Sequence, residues 1–112
     1  MNNSEKAREA YFEACKGINV KENENIVLES KTTWCFNFAR DIKKANIKAH
    51  EQVIIEIKSS FASYAFARNI RGSNVEEHFK VILNSGNKFL FDEFIKDVNY
   101  KNTRVEEWLL YI

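Results

Sequence analysis

An internal repeat of about 28 residues constrains the fold of this chain more than any other feature. The pentapeptide FARDI at residues 38–42 returns as FARNI at 66–70 and as FIKDV at 94–98. The segment NIKAH at 46–50 likewise returns as NVEEH at 74–78. A unit of this length cannot bury its own apolar face, so neighbouring units must stack and share a core.

The repeat divides the 112-residue chain into units of one domain, because the chain is too short for two. The two terminal units match the others poorly, as expected of units that cap an array. The predicted units are an N-terminal cap at 1–23, repeats at 24–50, 51–78 and 79–101, and a C-terminal cap helix at 102–112, with Val105 and Trp108 in its apolar run.

Each full unit predicts two helices. In residues 47–58, positions 47, 50, 53, 54 and 57 fall on one face of a helix, and residues 61–71 place Ala62, Phe66 and Ile70 on one face. Composition agrees, because a chain with no proline and three glycines lacks the turn residues of a typical all-β fold. We therefore expect an all-α fold, a short α-solenoid of about eight helices.

The predicted helix boundaries carry suitable residues. All three glycines fall at helix ends, where a left-handed residue closes a helix. Asn74 stands three residues before Glu77 and Thr103 three before Glu106, the spacing of a capping box at a helix N-terminus.

The unit FARDIKKANIKAHEQVI, residues 38–54, resembles a helical tandem repeat found in AT-rich Firmicutes and Fusobacteria and in their phages and mobile elements. The resemblance extends over about residues 24–98 and is closest in the first full unit. That repeat has no assigned activity, so the resemblance implies an architecture and a mobile-element setting but no catalytic residue. By analogy, it suggests a small binding protein that inhibits a host defence system, such as an anti-CRISPR.

Basic side chains recur at matching positions of successive units. Arg40, Arg68 and Lys96 share one position, and Lys43 and Arg71 share another. Residues 31–71 carry a net charge of +5, between segments of −2 on either side. One interpretation is a contact surface for an acidic protein or a phosphate backbone. The other is a solvated face whose charges pair with Asp41, Glu51, Glu56 and Asp97, although Arg40 and Asp41 are sequence neighbours and are not expected to pair with each other.

Aromatic side chains also recur. Phe36 and Tyr64 share a position beside the arginines, and Phe61 and Phe89 share another near the start of their helices. Such rings can anchor a partner or stack on bases, but packing between repeats is favoured, and Trp34 is expected in the core. The predicted partner-binding residues are Phe36, Arg40, Lys43, Lys44, Tyr64, Arg68, Arg71 and Lys96.

Other chemistry has little support in the sequence. His50 and His78 would be neighbours in the stack, but no cysteine or carboxylate stands at a recognised zinc spacing, so no metal is expected. Cys15 is expected in the core and Cys35 partly exposed, without a disulfide. Phosphate loops and nucleophile elbows are absent from the sequence, which predicts no catalytic residues and no cofactor.

The N-terminus lacks the apolar region of a signal peptide, and no apolar run is long enough to span a membrane. We therefore expect a cytoplasmic protein with no membrane partner, as a monomer or a homodimer. The leading hypothesis is a non-enzymatic protein-binding module, and the alternative is a nucleic-acid-binding protein that uses its basic residues against phosphates.

Overall fold

A computed structural model of the chain describes residues 2–100, which form seven α-helices and contain no strand. The helix predicted at 102–112, with the capping pair at Thr103, lies outside the described residues. No helix between residues 2 and 100 has the length and apolarity needed to cross a lipid bilayer. The helices are α1 (Asn3–Cys15), α2 (Val20–Ser30), α3 (Trp34–Asp41), α4 (Ile47–Glu56), α5 (Ser60–Asn69), α6 (Val75–Ser85) and α7 (Lys88–Tyr100).

The helices form two layers, which confirms the predicted all-α repeat architecture. Helices α1, α3, α5 and α7 contact one another in order and form layer A, whereas α2, α4 and α6 form layer B. Helices α1, α3 and α5 also pack against the layer B helix that follows each of them, and α7 packs against α6, which precedes it. The repeat is therefore a pair of helices, and the boundaries of the sequence units fall inside layer B helices.

The core between the layers explains the strongest part of the sequence repeat. Phe38, Phe66 and Phe94 head the repeated pentapeptides and are buried in α3, α5 and α7. From layer B, Ile54 and Ile82 are fully buried against them. Burial of one such side chain stabilises the fold by about 1.5–3 kcal/mol. The 28-residue period of the sequence therefore corresponds to one buried phenylalanine in each layer A helix from α3 to α7.

Helix ends follow the predicted chemistry with one correction. The Asn74 side chain caps α6 by accepting a hydrogen bond from the Glu77 backbone N–H at 3.3 Å. The reciprocal half of a capping box is missing, because the Asn74 N–H donates instead to Glu51 of α4 at 2.6 Å. Gly86 closes α6 in the left-handed region with φ 73°, where a residue with a Cβ would be strained.

A buried carboxylate joins each layer B helix to the next. In the first such contact, Glu24 Oε2 of α2 accepts hydrogen bonds from the Asn46 backbone N–H at 2.7 Å and from His50 Nε2 at 2.9 Å. The imidazole is fully buried and stacks on Phe38, with 5.0 Å between ring centroids. Because a carboxylate only accepts, the ring carries its proton on Nε2. We call this arrangement a Glu–His lock.

The same lock recurs one repeat later. Glu51 Oε2 of α4 accepts from the Asn74 N–H at 2.6 Å and from His78 Nε2 at 2.8 Å, and the His78 ring lies 5.3 Å from Phe66. The two histidines thus bind carboxylates of the preceding helix. Among the described residues no group of His, Cys, Asp and Glu is arranged to hold a metal ion.

The residues that form the Glu–His lock are replaced by others at both ends of the described array. Asn23 stands at the position of His50, and its side chain donates to the Ile18 carbonyl at 2.9 Å. Phe79 stands at the position of Glu51 and is buried in the core. At the positions of the lock, α2 therefore has no histidine and α6 has no carboxylate.

The expectations for the two cysteines were wrong. Cys35 is fully buried, with its Sγ 3.5 Å from the Val27 carbonyl oxygen, whereas Cys15 is exposed. The repeat aligns Cys15 with Ile42 and Ile70, which turn inward because their backbones are extended at the ends of α3 and α5. At Cys15 the backbone is still helical, so its side chain takes a different direction.

The Glu–His locks predict a pH-dependent stability. Burial lowers the pKa of both histidines below the ordinary value of 6.5, outweighing the attraction of Glu24 and Glu51, and each Nδ1 is buried without a hydrogen-bond partner. The unfolded chain then binds protons more readily, so stability is complete above about pH 6.5 and decreases as the pH falls below it. The decrease is at most about 1.4 kcal/mol per pH unit for each histidine.

Urea unfolding between pH 7.5 and pH 5.0 measures this dependence. A His50→Gln/His78→Gln variant is the control, because glutamine can donate a hydrogen bond but does not titrate. Its stability should change less with pH than that of the original chain. Equal slopes for the two proteins would assign the pH dependence to other groups.

Candidate functional site

The predicted contact residues of layer A stack in pairs on the molecular surface. The Arg40 guanidinium lies over the Phe36 ring of α3, 5.1 Å from its centroid, and that of Arg68 lies over the Tyr64 ring of α5 at 5.9 Å. Phe36 and Tyr64 are half-buried and pack on the core clusters, so they are not free aromatic anchors. A cation above such a ring contributes about 0.5–1 kcal/mol at an exposed site.

Arg40 is also neutralised by its neighbour, contrary to the sequence expectation. Its Nε and Nη2 atoms lie 2.7 and 2.8 Å from the two carboxylate oxygens of Asp41. Asp41 is the last residue of α3, where the long guanidinium folds along the helix end to reach it. The Tyr11 hydroxyl of α1 donates to the same carboxylate. Hydrogen bonds from Arg40 and, more weakly, from Tyr11 hold the pKa of Asp41 below its ordinary value.

A related arrangement joins α5 to α7. The Tyr64 hydroxyl donates to Asp97 Oδ2 at 2.6 Å, and Arg68 lies within 3.7 Å of the same oxygen. Arg68 Nη1 also donates to the Tyr64 hydroxyl at 3.3 Å. We call this the tyrosine–aspartate clasp. Between α3 and α5 the matching residues are Phe36 and Asn69, so the hydroxyl and the carboxylate are both missing there.

The predicted basic residues therefore separate into two groups. Arg40, Arg68 and Lys96 are paired with acids, the last with Glu93 at 3.4 Å. Lys43, Lys44 and Arg71 are exposed in the turns that lead from layer A to layer B. None of these three forms an ion pair with another residue of the described part of the chain. Lys16 occupies the matching position at the end of α1 and is also exposed, as the repeat alignment would have indicated.

Among the residues whose burial the structure describes, the two least buried aromatic side chains are ones that the sequence predicted to pack between repeats. Phe61 is 67% exposed and Phe89 is 72% exposed, and they are the second residues of α5 and α7. Each precedes a core position by one residue, Ala62 or Leu90, which turns its ring about 100° away from the core. The matching residue at α3 is its N-cap, Thr33, a polar side chain that could have identified the position as solvent-facing.

Trp34 is half-buried beside the core rather than within it. Its ring packs against Tyr11 and Phe12 of α1, at centroid distances of 5.5 and 6.1 Å. This aromatic cluster joins α1 to α3 at the start of layer A. Phe12 remains 51% exposed at its edge.

The clasp between α5 and α7 should contribute measurably to stability. Tyr64→Phe removes the hydroxyl that binds Asp97, and we expect a loss of about 1 kcal/mol. In an Asp97→Asn background the same substitution should cost clearly less, because the charged acceptor is already gone. A double-mutant cycle from urea unfolding measures the difference, and additive effects would show that the hydrogen bond contributes little.

Comparisons with known proteins identify no relative of this chain. No protein-family model, no curated protein and no solved structure matches the chain.

Proposed function

We propose that this chain is a protein-binding module whose main contact surface is the outer face of α5 and α7. We call this surface the phenyl face, and it is defined by Phe61, Phe89 and the clasped side chains of Tyr64, Arg68 and Asp97. One observation carries the proposal: two phenyl rings, 67% and 72% exposed, stand at equivalent positions of adjacent helices.

Exposed rings of this kind are suited to anchoring a partner. Complete burial of a phenylalanine side chain is worth about 1.5–3 kcal/mol, and aromatic side chains are among the usual anchors of protein interfaces. The rings are held on neighbouring helices, and the clasp fixes α5 against α7. A partner therefore meets a surface that is already ordered, which lowers the conformational cost of binding.

The charges beside the rings favour a protein over a nucleic acid as the ligand of this face. Phosphate-backbone binding depends on cations that release counterions when they meet phosphates. Arg68 and Lys96 lie on this face but are paired with Asp97 and Glu93. With these cations already paired, apolar contact is the main attraction that the face offers.

We also propose a more specific role for the chain, the inhibition of a host defence system, for example as an anti-CRISPR. This role is supported only by the resemblance of residues 38–54 to repeats of phages and mobile elements. A location in the cytoplasm is proposed on the sequence alone. Identification of the partner tests the inhibitory role directly.

Substitution of both rings tests the phenyl face. A tagged chain is used to capture proteins from a lysate of the source cells, with nuclease and at moderate salt, and the purified partner is then titrated by calorimetry. The Phe61→Ser/Phe89→Ser variant should bind at least about 30-fold more weakly, because each lost ring removes at least about 1 kcal/mol of apolar contact.

An Ile26→Ser variant is the control, since Ile26 is a 41% exposed apolar side chain on α2, away from α5 and α7. It should bind like the original chain, and circular dichroism should show that both variants remain folded. Equal loss in the two variants, or capture of nucleic acid alone, would contradict the proposal.

A further inference from the structure

We infer that the turns from layer A to layer B form a second contact, which binds an acidic segment of the protein partner. This inference rests on the proposed function and specifies the chemistry of the partner. We call the surface the basic edge. It consists of the exposed cations Lys16, Lys43, Lys44 and Arg71, with Lys21 and Lys48 in the first turns of α2 and α4.

The basic edge repeats with the fold. Lys16, Lys43 and Arg71 hold matching positions after α1, α3 and α5, at sequence intervals of 27 and 28 residues. Packed helices lie about 8–10 Å apart, so the three turns follow one another at about that interval. A peptide in the polyproline II conformation has three residues per turn and rises about 3.1 Å per residue, so carboxylates at every third residue point to one side at intervals of about 9 Å and would meet successive turns.

The charge of the edge is available to a ligand. In the part of the chain that the structure describes, none of its cations forms an ion pair, in contrast to Arg40 and Arg68. The carboxylates of Glu24 and Glu51 approach the same ends of α4 and α6, but each is turned inward and bound in a Glu–His lock. The N-termini of α4 and α6 add partial positive charge at this edge.

The middle of the edge is its most positive part. Glu22 and Glu76 are exposed in the first turns of α2 and α6 and offset the cations of the outer turns. The α3–α4 connection instead carries Lys43 and Lys44, with Lys48 in the first turn of α4. The acidic segment should therefore be centred on this turn.

The surroundings of the edge favour a peptide over single-stranded nucleic acid. Nucleic-acid strands are bound by stacking of bases on aromatic side chains as well as by cations. The turns themselves carry no aromatic residue. Among the described residues, the exposed ring of Phe12 lies one turn before Lys16 at the outer turn, and the rings of Phe61 and Phe89 lie at the opposite ends of α5 and α7. From Phe61 to its last residue, Asn69, α5 extends about 12 Å, and Arg71 follows two residues later, so one protein can cover both surfaces.

A synthetic probe tests the edge without knowledge of the partner. The probe is a fluorescein-labelled peptide of thirteen residues with glutamate at every third position among glycine and serine, measured by fluorescence anisotropy at low salt. Lys43→Glu/Lys44→Glu should weaken its binding about tenfold, because it reverses the charge at the centre of the edge. The matched control, Lys6→Glu/Lys88→Glu, makes the same change in net charge at the other end of layer A and should weaken binding less than twofold.

The outcomes separate this inference from the proposed function. Equal loss in the two variants, or no binding of the probe by the original chain, would overturn the inference. Tighter binding of a twelve-nucleotide single-stranded DNA, lost in the same edge variant, would overturn it in favour of a phosphate ligand. The Phe61→Ser/Phe89→Ser variant should bind the probe as tightly as the original chain does. A negative result for the basic edge therefore does not contradict the proposed role of the phenyl face, which the titration of the partner tests.

Discussion

A carboxylate shared between an imidazole and a helix N-terminus is the interaction on which the rest of this structure depends. Glu24 and Glu51 each accept hydrogen bonds from a buried histidine and from the backbone N–H that precedes the next layer B helix. Without the histidine, a largely buried carboxylate would lose a partner, at a cost of about 1–3 kcal/mol. The lock therefore fixes the position of each layer B helix against the one before it.

The lock also links the two layers. The faces of the His50 and His78 rings lie beside Phe38 and Phe66, the central core residues of layer A. A shift of a layer B helix would break a hydrogen bond and an aromatic contact together, which makes alternative registers unfavourable. The ordered spacing of α3, α5 and α7, and hence of the side chains on their outer faces, follows from this coupling.

The surface of layer A illustrates how packing changes the role of a charged residue. The arginines that repeat most clearly in the sequence are stacked on rings and paired with Asp41 or Asp97, where they help to join helices. The cations of the turns form no ion pair in the described residues. The paired arginines and the phenyl rings thus define a surface suited to apolar contact, and the turns define one suited to acidic groups.

The sequence alone determined the helices, their pairing into repeats and the phenylalanine core, because these depend on local periodicity and on one residue type that returns every 28 positions. It identified the asparagine cap at Asn74 and the glycines at the ends of α1 and α6 for the same local reason, whereas Gly72 does not close α5, which ends at Asn69 with Ile70 extended as its C-cap. Only the tertiary structure decided the partners of His50 and Tyr64, which lie 26 and 33 residues away, and the exposure of Phe61 and Phe89. Such contacts depend on the angle and register at which helices pack, and a shift of one residue, about 100° of helix rotation, separates a core side chain from an exposed one.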